Sequence, residues 1–308
     1  MTLCVAVTTA DGLVMGADSM TVVRDGPMVK SYANANKVLE IPGLPIAVMT
    51  YGLGALGRRS IASLVDEWNS LRPAFEKQKY TVEEVGRHLG KFVFDHHRQH
   101  RELVKAEAQA GQARALRGEA DSESDKPFEF KPMDYTTGLV IGGYQPGSVY
   151  PSLWRWEEPV EPGVDGALEQ TRPHEGASGE HGPRSGLDYW GDTRAVDRLV
   201  YGRDKYLFDD LKRHGALQQA DQLDDTLRSH RWNVVYEGMP VQDAADLARF
   251  VLEVGVGFEQ FREGTPLIGG EIDIAVVTRS GLHWHQRKAL TRALAPKLFL
   301  RPEEDDPK

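Results

Sequence analysis

The sequence lacks the features that mark several large classes of protein. It contains a single cysteine, Cys4, among 308 residues. One cysteine excludes an intrachain disulfide framework and fits a reducing compartment. No run of 18 apolar residues occurs, so no transmembrane helix is predicted. The N-terminus has no basic region followed by an apolar one, which argues against a secretory signal. Together these absences predict a cytoplasmic protein without a membrane partner.

An excess of positive charge is also missing. The 37 Lys and Arg residues are outnumbered by 46 Asp and Glu residues, and the net charge is −9. A nucleic-acid partner is therefore not expected. The 40% hydrophobic content is typical of a globular protein that buries a large core. We expect one domain over residues 1–308, with polar insertions at about 97–131 and 158–186 and an acidic tail at 302–308.

Apolar periodicity predicts strands near both ends of the chain and pairs of helices between groups of strands. The predicted strands are 3–9, 13–18, 37–41, 45–50, 135–144, 148–156, 186–190, 272–278 and 282–285. The predicted helices are 55–71, 81–96, 193–211 and 241–262. This order of elements predicts an α+β fold in which two antiparallel sheets lie between helical layers.

The second residue of the chain is the first candidate for chemistry. Thr2 follows Met1 directly, and an initiator methionine is removed when the next residue is small. The exposed threonine would carry a hydroxyl nucleophile and an α-amine base on one residue. A free α-amine titrates near pH 7.7–8.0, and a neighbouring lysine ammonium lowers that pKa because like charges repel.

Two later residues could support such a threonine. A hairpin that turns at residues 10–12 brings Asp18 back beside Thr2, and Lys37 opens the next predicted strand. A carboxylate at Asp18 would hold the Lys37 ammonium in place and balance its charge. The alternative interpretation is that Asp18 caps a turn and Lys37 is a surface lysine.

Three segments resemble proteasome β subunits, which are N-terminal-nucleophile hydrolases. TLCVAVTTADGLVMGADS is similar to their first hairpin, NKVLEIPGLPIAVMTYG to the segment with the catalytic lysine, and GGEIDIAVVTRSGLHW to their last hairpin. The resemblance brackets the chain and puts Thr2, Asp18 and Lys37 on the catalytic positions. It implies a four-layer αββα sandwich, a threonine peptidase without a cofactor, and a ring or helical homo-oligomer.

The departures from that pattern resemble the bacterial ancestral-β-subunit (Anbu-like) branch. Gly191-Asp192-Thr193 stands where proteasome β subunits have S-G-S, and Ile268 stands where they have a serine. By this resemblance, Asp192 is a candidate for positioning the α-amine. Backbone N–H groups would form the oxyanion hole, and the resemblance makes Thr50 the candidate donor.

Two other patterns have weaker claims to chemistry. Residues 52–57 spell G-x-G-x-x-G between a strand and a helix, but no second parallel strand follows, so a tight turn is favoured over nucleotide binding. His96 and His100 share a helix face, but a metal site needs a third strong ligand. We predict neither a cofactor nor a metal.

The sequence thus predicts peptide-bond hydrolysis by Thr2 on peptide or unfolded-protein substrates. Two alternatives stay open. One is an amidase or transpeptidase that uses the same site, and the other is a non-catalytic scaffold subunit of a proteasome-like assembly.

Overall fold

The computed structural model describes most of the chain. The described residues are 2–25, 28–72, 75, 79–118, 129–130, 135–157, 167–171, 185–215, 217–230, 233–264 and 266–289. The strands, β1 to β14, are Leu3–Thr8, Leu13–Ala17, Thr21–Asp25, Met28–Tyr32, Val38–Glu40, Ile46–Gly52, Ala55–Leu56, Arg59–Ser60, Thr137–Gly143, Ser152–Glu157, Ala167–Thr171, Gly186–Gly191, Asp273–Thr278 and Gly281–Gln286. The helices, α1 to α6, are Ile61–Leu71, Val82–Leu116, Arg194–Tyr201, Lys205–Arg213, Leu217–Ser229 and Val241–Phe261.

The strands form two five-stranded sheets and two small hairpins. The first sheet has the order β12-β1-β2-β13-β14, and the second has the order β11-β10-β9-β6-β5. The hairpins are β3–β4 and β7–β8. Every strand pair among the described residues is antiparallel. The predicted α+β class with antiparallel sheets is therefore confirmed.

Burial of apolar side chains explains how these elements pack. One cluster joins α1 and α2 to the second sheet and includes Trp68, Leu89 and Ile141. Another joins α3 and α6 to the first sheet and includes Val196 and Leu252. All six residues of β1 and all seven of β9 are buried, as expected for sheets covered on both faces.

A third apolar cluster lies between the two sheets. It contains Cys4 and Met15 of the first sheet, and Met49 and Val140 of the second. Side chains alternate along a strand, so Thr2 lies on the same face as Cys4. The start of β1 therefore faces the second sheet, in the region where Thr2 lies.

Two helix predictions need correction. The range 55–71 begins with the β7–β8 hairpin, because Gly57 adopts a positive φ and the Ser60 side chain caps α1 at Ser63. The range 193–211 is two helices, because Gly202 ends α3 in the left-handed conformation and Asp204 caps α4. The hairpin β3–β4 and the helix α5 were not predicted.

The predicted insertions are described only in part. The capping box at Thr81 is confirmed, and the helix that it opens continues without a break to Leu116, well into the first polar stretch. The second stretch contains β11, which extends the second sheet. Residues 119–128, 131, 158–166 and 172–184 of these stretches and the tail at 302–308 lie outside the described residues. Within the described chain, we find no helix with the length and apolar character that crossing a membrane requires.

Candidate active site

Asp18 is the most heavily bonded side chain of the site. It follows β2, is 1% exposed, and its Oδ1 accepts hydrogen bonds from Lys37 Nζ at 2.8 Å and from Leu3 N at 3.0 Å. Its Oδ2 accepts from Met20 N at 3.1 Å and from Gly269 N at 2.9 Å. Three backbone N–H groups and one ammonium therefore stabilise the charged carboxylate.

Lys37 is buried beside this carboxylate. Its side chain is 5% exposed, so the surface role considered as the alternative is wrong. Burial lowers the pKa of the Lys37 ammonium, while the nearby Asp18 carboxylate acts in the opposite direction. Burial disfavours the charged form of an amine, and an opposite charge favours it. The Lys37 ammonium thus loses its proton more readily than an ordinary lysine does.

Thr2 immediately precedes β1 of the first sheet. It is 2% exposed, and its carbonyl oxygen accepts a hydrogen bond from Asp192 N at 2.8 Å. Gly191 is in the left-handed region with φ +94°, and a Cβ on it would come within 1.8 Å of the Thr2 carbonyl oxygen. Only glycine fits at that position, so the backbone around Thr2 is closely packed.

A cavity of about 440 Å³ joins the candidates. Thr2, Lys37 and Thr50 all line it. Apart from Lys37, its lining is uncharged. It comes from the β3–β4 hairpin, the connection from β4 to β5, the end of β6, the β7–β8 hairpin and the start of α1: Thr21, Val23, Tyr32, Ala33, Asn34, Ala35, Asn36, Tyr51, Gly52, Leu53, Gly54, Ala55, Ser60, Ile61 and Ala62. A mostly apolar cavity with a few polar groups is the usual form of a small-molecule or side-chain site.

The predicted role of Thr50 conflicts with the hydrogen bonding of the strand. Thr50 N donates to Lys37 O at 3.0 Å, so this N–H is already used in the sheet and is not available as an oxyanion donor. Successive N–H groups of a strand point to opposite edges. Alternation along β6 from Thr50 puts the N–H of Gly52 on the edge away from β9, and Gly52 itself lines the cavity.

Gly52 is the residue that the sequence prediction missed. Its φ is +85°, and a Cβ there would come within 2.1 Å of the Thr136 carbonyl oxygen. The position therefore requires glycine. The G-x-G-x-x-G pattern contained the signal, because it showed a strand-to-helix turn built on glycine next to the candidate lysine strand.

Asp192 contacts the site through its backbone. Its carboxylate accepts from Arg194 Nε at 2.7 Å and also pairs with Arg194 Nη2. Its N–H is the donor to the Thr2 carbonyl oxygen. The role of the Asp192 carboxylate at the α-amine stays a prediction.

Cys4 and the histidine pair belong to the packing of the chain. Cys4 is fully buried, its Sγ donates to Thr50 O at 3.5 Å, and burial raises the pKa of its thiol. His96 Nδ1 lies 2.9 Å from Phe92 O. Across the described ranges, no group of three His, Cys, Asp or Glu residues has the arrangement of a metal site.

Comparison with known proteins gives structural similarity at low sequence identity. No protein-family model matches the chain, and no curated protein matches it. Among solved structures, Anbu (ancestral β-subunit) from Yersinia bercovieri aligns with 92% of this chain and 86% of its own, at 13% identity and a TM-score of 0.48. A mutant Anbu from Hyphomicrobium sp. strain MC1 aligns with 94% of this chain and 86% of its own, at 16% identity and a TM-score of 0.48. Over most of its length, the chain is structurally similar to solved Anbu proteins.

Proposed function

We propose that the protein is an N-terminal-nucleophile hydrolase in which Thr2 cleaves peptide bonds. The observation that carries the proposal is the buried Asp18–Lys37 pair beside the cavity that Thr2 lines. A buried ion pair contributes little net stability compared with apolar residues of the same volume. A lysine with a lowered pKa next to a threonine in a cavity is, however, typical of catalytic sites.

The proposed reaction requires that removal of Met1 exposes the Thr2 α-amine. Thr2 Oγ1 attacks the carbonyl carbon of the scissile bond while its proton passes to the α-amine. The C–N bond then breaks, the departing amine takes that proton, and an ester remains on Thr2. A water molecule attacks the ester and gives a proton to the α-amine. The bond between the acyl carbon and Oγ1 then breaks, the α-amine returns the proton to Oγ1, and the acid is released with the Thr2 hydroxyl restored.

The surrounding residues would each support one part of this reaction. The Lys37 ammonium lowers the pKa of the α-amine, so that the amine is unprotonated and can accept the hydroxyl proton. Asp18 holds Lys37 through their hydrogen bond. In place of Thr50, we propose Gly52 N–H as a donor to the developing oxyanion, since a backbone donor that faces the cavity needs no reorganisation during the reaction. The uncharged lining favours substrates with an apolar side chain at the acyl position.

The finer features implied by the sequence resemblance belong to the same proposal. We infer a four-layer αββα sandwich, which the three apolar clusters support, formed by one domain over residues 1–308. We also infer a cytoplasmic homo-oligomer that restricts access to the site to peptides and unfolded chains. Native mass spectrometry of the full chain tests the assembly, and a purely monomeric mass would contradict it.

A threonine-directed β-lactone probe tests the chemistry. Intact mass should show loss of Met1 and the addition of one probe, mapped to Thr2. Thr2→Ala should remove the labelling, whereas Thr2→Ser, which keeps a hydroxyl and an α-amine, should retain it. Retained Met1, or labelling that survives in Thr2→Ala, would contradict the proposal. Labelling without peptide turnover would instead favour the amidase or transpeptidase alternative.

A further inference from the structure

A buried ionic bridge is connected to the backbone of Thr2. Arg194, at the start of α3, donates from Nε to Asp192 Oδ1 at 2.7 Å and pairs through Nη2 with Asp192 Oδ2. The same Nη2 lies 3.8 Å from Glu259 Oε2, in the last turn of α6. The Asp192 and Glu259 side chains are 5% and 3% exposed, and that of Arg194 is 21% exposed. One guanidinium thus hydrogen-bonds to the buried Asp192 carboxylate and lies within ion-pair distance of the buried Glu259 carboxylate from another element.

One end of the bridge is bonded to the segment that holds Thr2. The carboxylate of Asp192 pairs with Arg194, and the N–H of Asp192 donates to the Thr2 carbonyl oxygen at 2.8 Å. A movement of Asp192 therefore moves its hydrogen bond to Thr2. Because Gly191 is packed directly against the same carbonyl oxygen, the strand end has little room to shift without moving Thr2.

The other end of the bridge is bonded to the segment that holds Asp18. Glu259 Oε1 accepts a hydrogen bond from Leu267 N at 3.0 Å. Two residues further on, Gly269 N donates to Asp18 Oδ2 at 2.9 Å. Glu259 therefore fixes the backbone segment that supplies one of the donors to the Asp18 carboxylate.

We propose that Arg194 is a positioning residue that couples the Thr2 segment to the Asp18 segment. It acts through Asp192 on one side and through Glu259 on the other, and so sets the position of the nucleophile relative to the Asp18–Lys37 pair. Its catalytic consequence rests on the proposed function of Thr2. Its structural consequence, the coupling of two backbone segments, is measurable without any activity.

The charges of the bridge determine which side depends more on Arg194. Glu259 has a second partner, because Arg262 Nη2 donates to its Oε1 at 3.0 Å. Asp192 accepts both of its guanidinium contacts from Arg194. Removal of Arg194 thus leaves a buried carboxylate at Asp192 without its guanidinium, which is strongly unfavourable. The effect of the removal should be largest at the bond between Asp192 and Thr2.

Hydrogen exchange of the full-length protein tests the coupling directly. In Arg194→Met, the segments 186–193 and 266–269 should both exchange faster, the first at least about tenfold, because opening either segment no longer requires the ionic bridge to break. The double variant Arg194→Met/Asp192→Asn should recover much of the protection, since it removes the unpaired charge. Arg198→Met is the matched control. Arg198 lies one turn later on α3 and pairs with Asp204, so segment 186–193 should keep its wild-type exchange.

Kinetics of probe labelling test the catalytic consequence. Arg194→Met should lower the maximal labelling rate constant at Thr2 about tenfold, since small displacements of reacting groups cost large factors in rate. The half-saturating probe concentration should stay within about twofold, because the described residues that line the cavity do not include Arg194. A merely unfolded fraction would lower the final labelled fraction and leave the rate constant of the rest unchanged.

The outcomes separate this proposal from the proposed function. Faster exchange of both segments in Arg194→Met supports the coupling even if the wild-type protein takes no label, and that absence of label removes the proposed function alone. Wild-type exchange of either segment in Arg194→Met overturns the coupling. If Arg194→Met does not fold, Arg194→Lys replaces it, because a lysine lacks the planar fork that pairs through two nitrogens with Asp192. Wild-type exchange in Arg194→Lys would equally overturn the coupling.

Discussion

The aspartates of two buried Lys–Asp pairs lie at the same end of the adjacent strands β2 and β13, and the two pairs are held in different ways. Asp18 follows Ala17, and Ala17 pairs in register with Asp273, whose partner is Lys288. Asp18 accepts three backbone N–H bonds besides Lys37. Asp273 accepts the N–H and the ammonium of Lys288 itself. The first carboxylate is therefore secured by the backbone, and the second depends mainly on its lysine.

This difference assigns a functional role to Lys37 and a stabilising role to Lys288. The three backbone N–H groups still satisfy the Asp18 carboxylate when its lysine is removed. Lys37 is then not required to neutralise Asp18, and its ammonium can act on Thr2. Lys288 is instead expected to have a structural role, since this residue lies just after the β13–β14 hairpin and bonds back to Asp273 through its backbone N–H. The two pairs should thus respond oppositely to the same substitution.

The largest expected effect is a crossed result for Lys37→Met and Lys288→Met. Lys37→Met should lower the rate of Thr2 labelling at least about 100-fold, since it removes the charge that activates the nucleophile, but should cost only about 1–3 kcal/mol in unfolding free energy. Lys288→Met should cost about 3–5 kcal/mol, because it leaves a buried carboxylate without its ammonium. Urea unfolding and labelling kinetics of both variants measure the two quantities. Equal losses of labelling in the two variants would remove the functional distinction between the pairs.

The next effect concerns the backbone that positions Thr2 against the first pair. Gly191→Ala should cost about 2–5 kcal/mol, from the positive φ and from the clash with the Thr2 carbonyl oxygen. Gly43 has a similar φ of +80°, but a Cβ there meets nothing within 4 Å. Gly43→Ala should therefore cost about 1–2 kcal/mol, with unchanged labelling. Urea unfolding midpoints of the two variants measure these losses of stability. Equal losses in Gly191→Ala and Gly43→Ala would show that the packing at Gly191 is loose.

Much of this arrangement is predictable from sequence, because it is local or periodic. The apolar run at 3–8, the turn at residues 10–12 and the strand at 13–17 define a hairpin, and its length brings Asp18 back to Leu3. The direction of the Thr50 N–H is not predictable in this way. It points toward β5 because β5 pairs with β6, and the intrinsic propensities of the residues do not reveal that pairing.

Contacts between distant segments left no signal in the sequence. Arg194 and Glu259 are separated by two helices and a long connection, and only the packing of α3 against α6 brings them together. The pair of Asp273 and Lys288 likewise depends on a hairpin register that carries a bulge. The split of the range 193–211 is, by contrast, a local signal that the sequence prediction overlooked, since Gly202 forms a left-handed C-cap and Asp204 caps the next helix.

A smaller effect is the pH dependence of labelling. Because burial lowers the pKa of Lys37, its ammonium loses its proton at a pH below the ordinary value of about 10.4. Labelling should therefore decline on the alkaline side before that pH is reached. In Lys37→Arg, which stays charged at any such pH, the decline should move upward, whereas Lys288→Arg should leave it in place. Rate constants between about pH 7 and 10.5 measure the shift, and a decline that is the same in all three proteins would assign it to another group.

The smallest expected effect belongs to Cys4, the nucleophilic side chain buried beside the first pair. Its Sγ is bonded to the Thr50 carbonyl oxygen, and burial raises the pKa of its thiol, so it holds little thiolate at neutral pH. Cys4→Ala should leave Thr2 labelling within about twofold and cost about 1 kcal/mol for the lost packing. The native protein should also resist iodoacetamide, whereas the urea-unfolded chain reacts. Because the raised thiol pKa and the lowered lysine pKa share one cause, burial in the space between the sheets, a native Cys4 that alkylates readily would show that this space admits water. The lowered pKa of Lys37, on which the contrast between the two pairs depends, would then lose its physical basis.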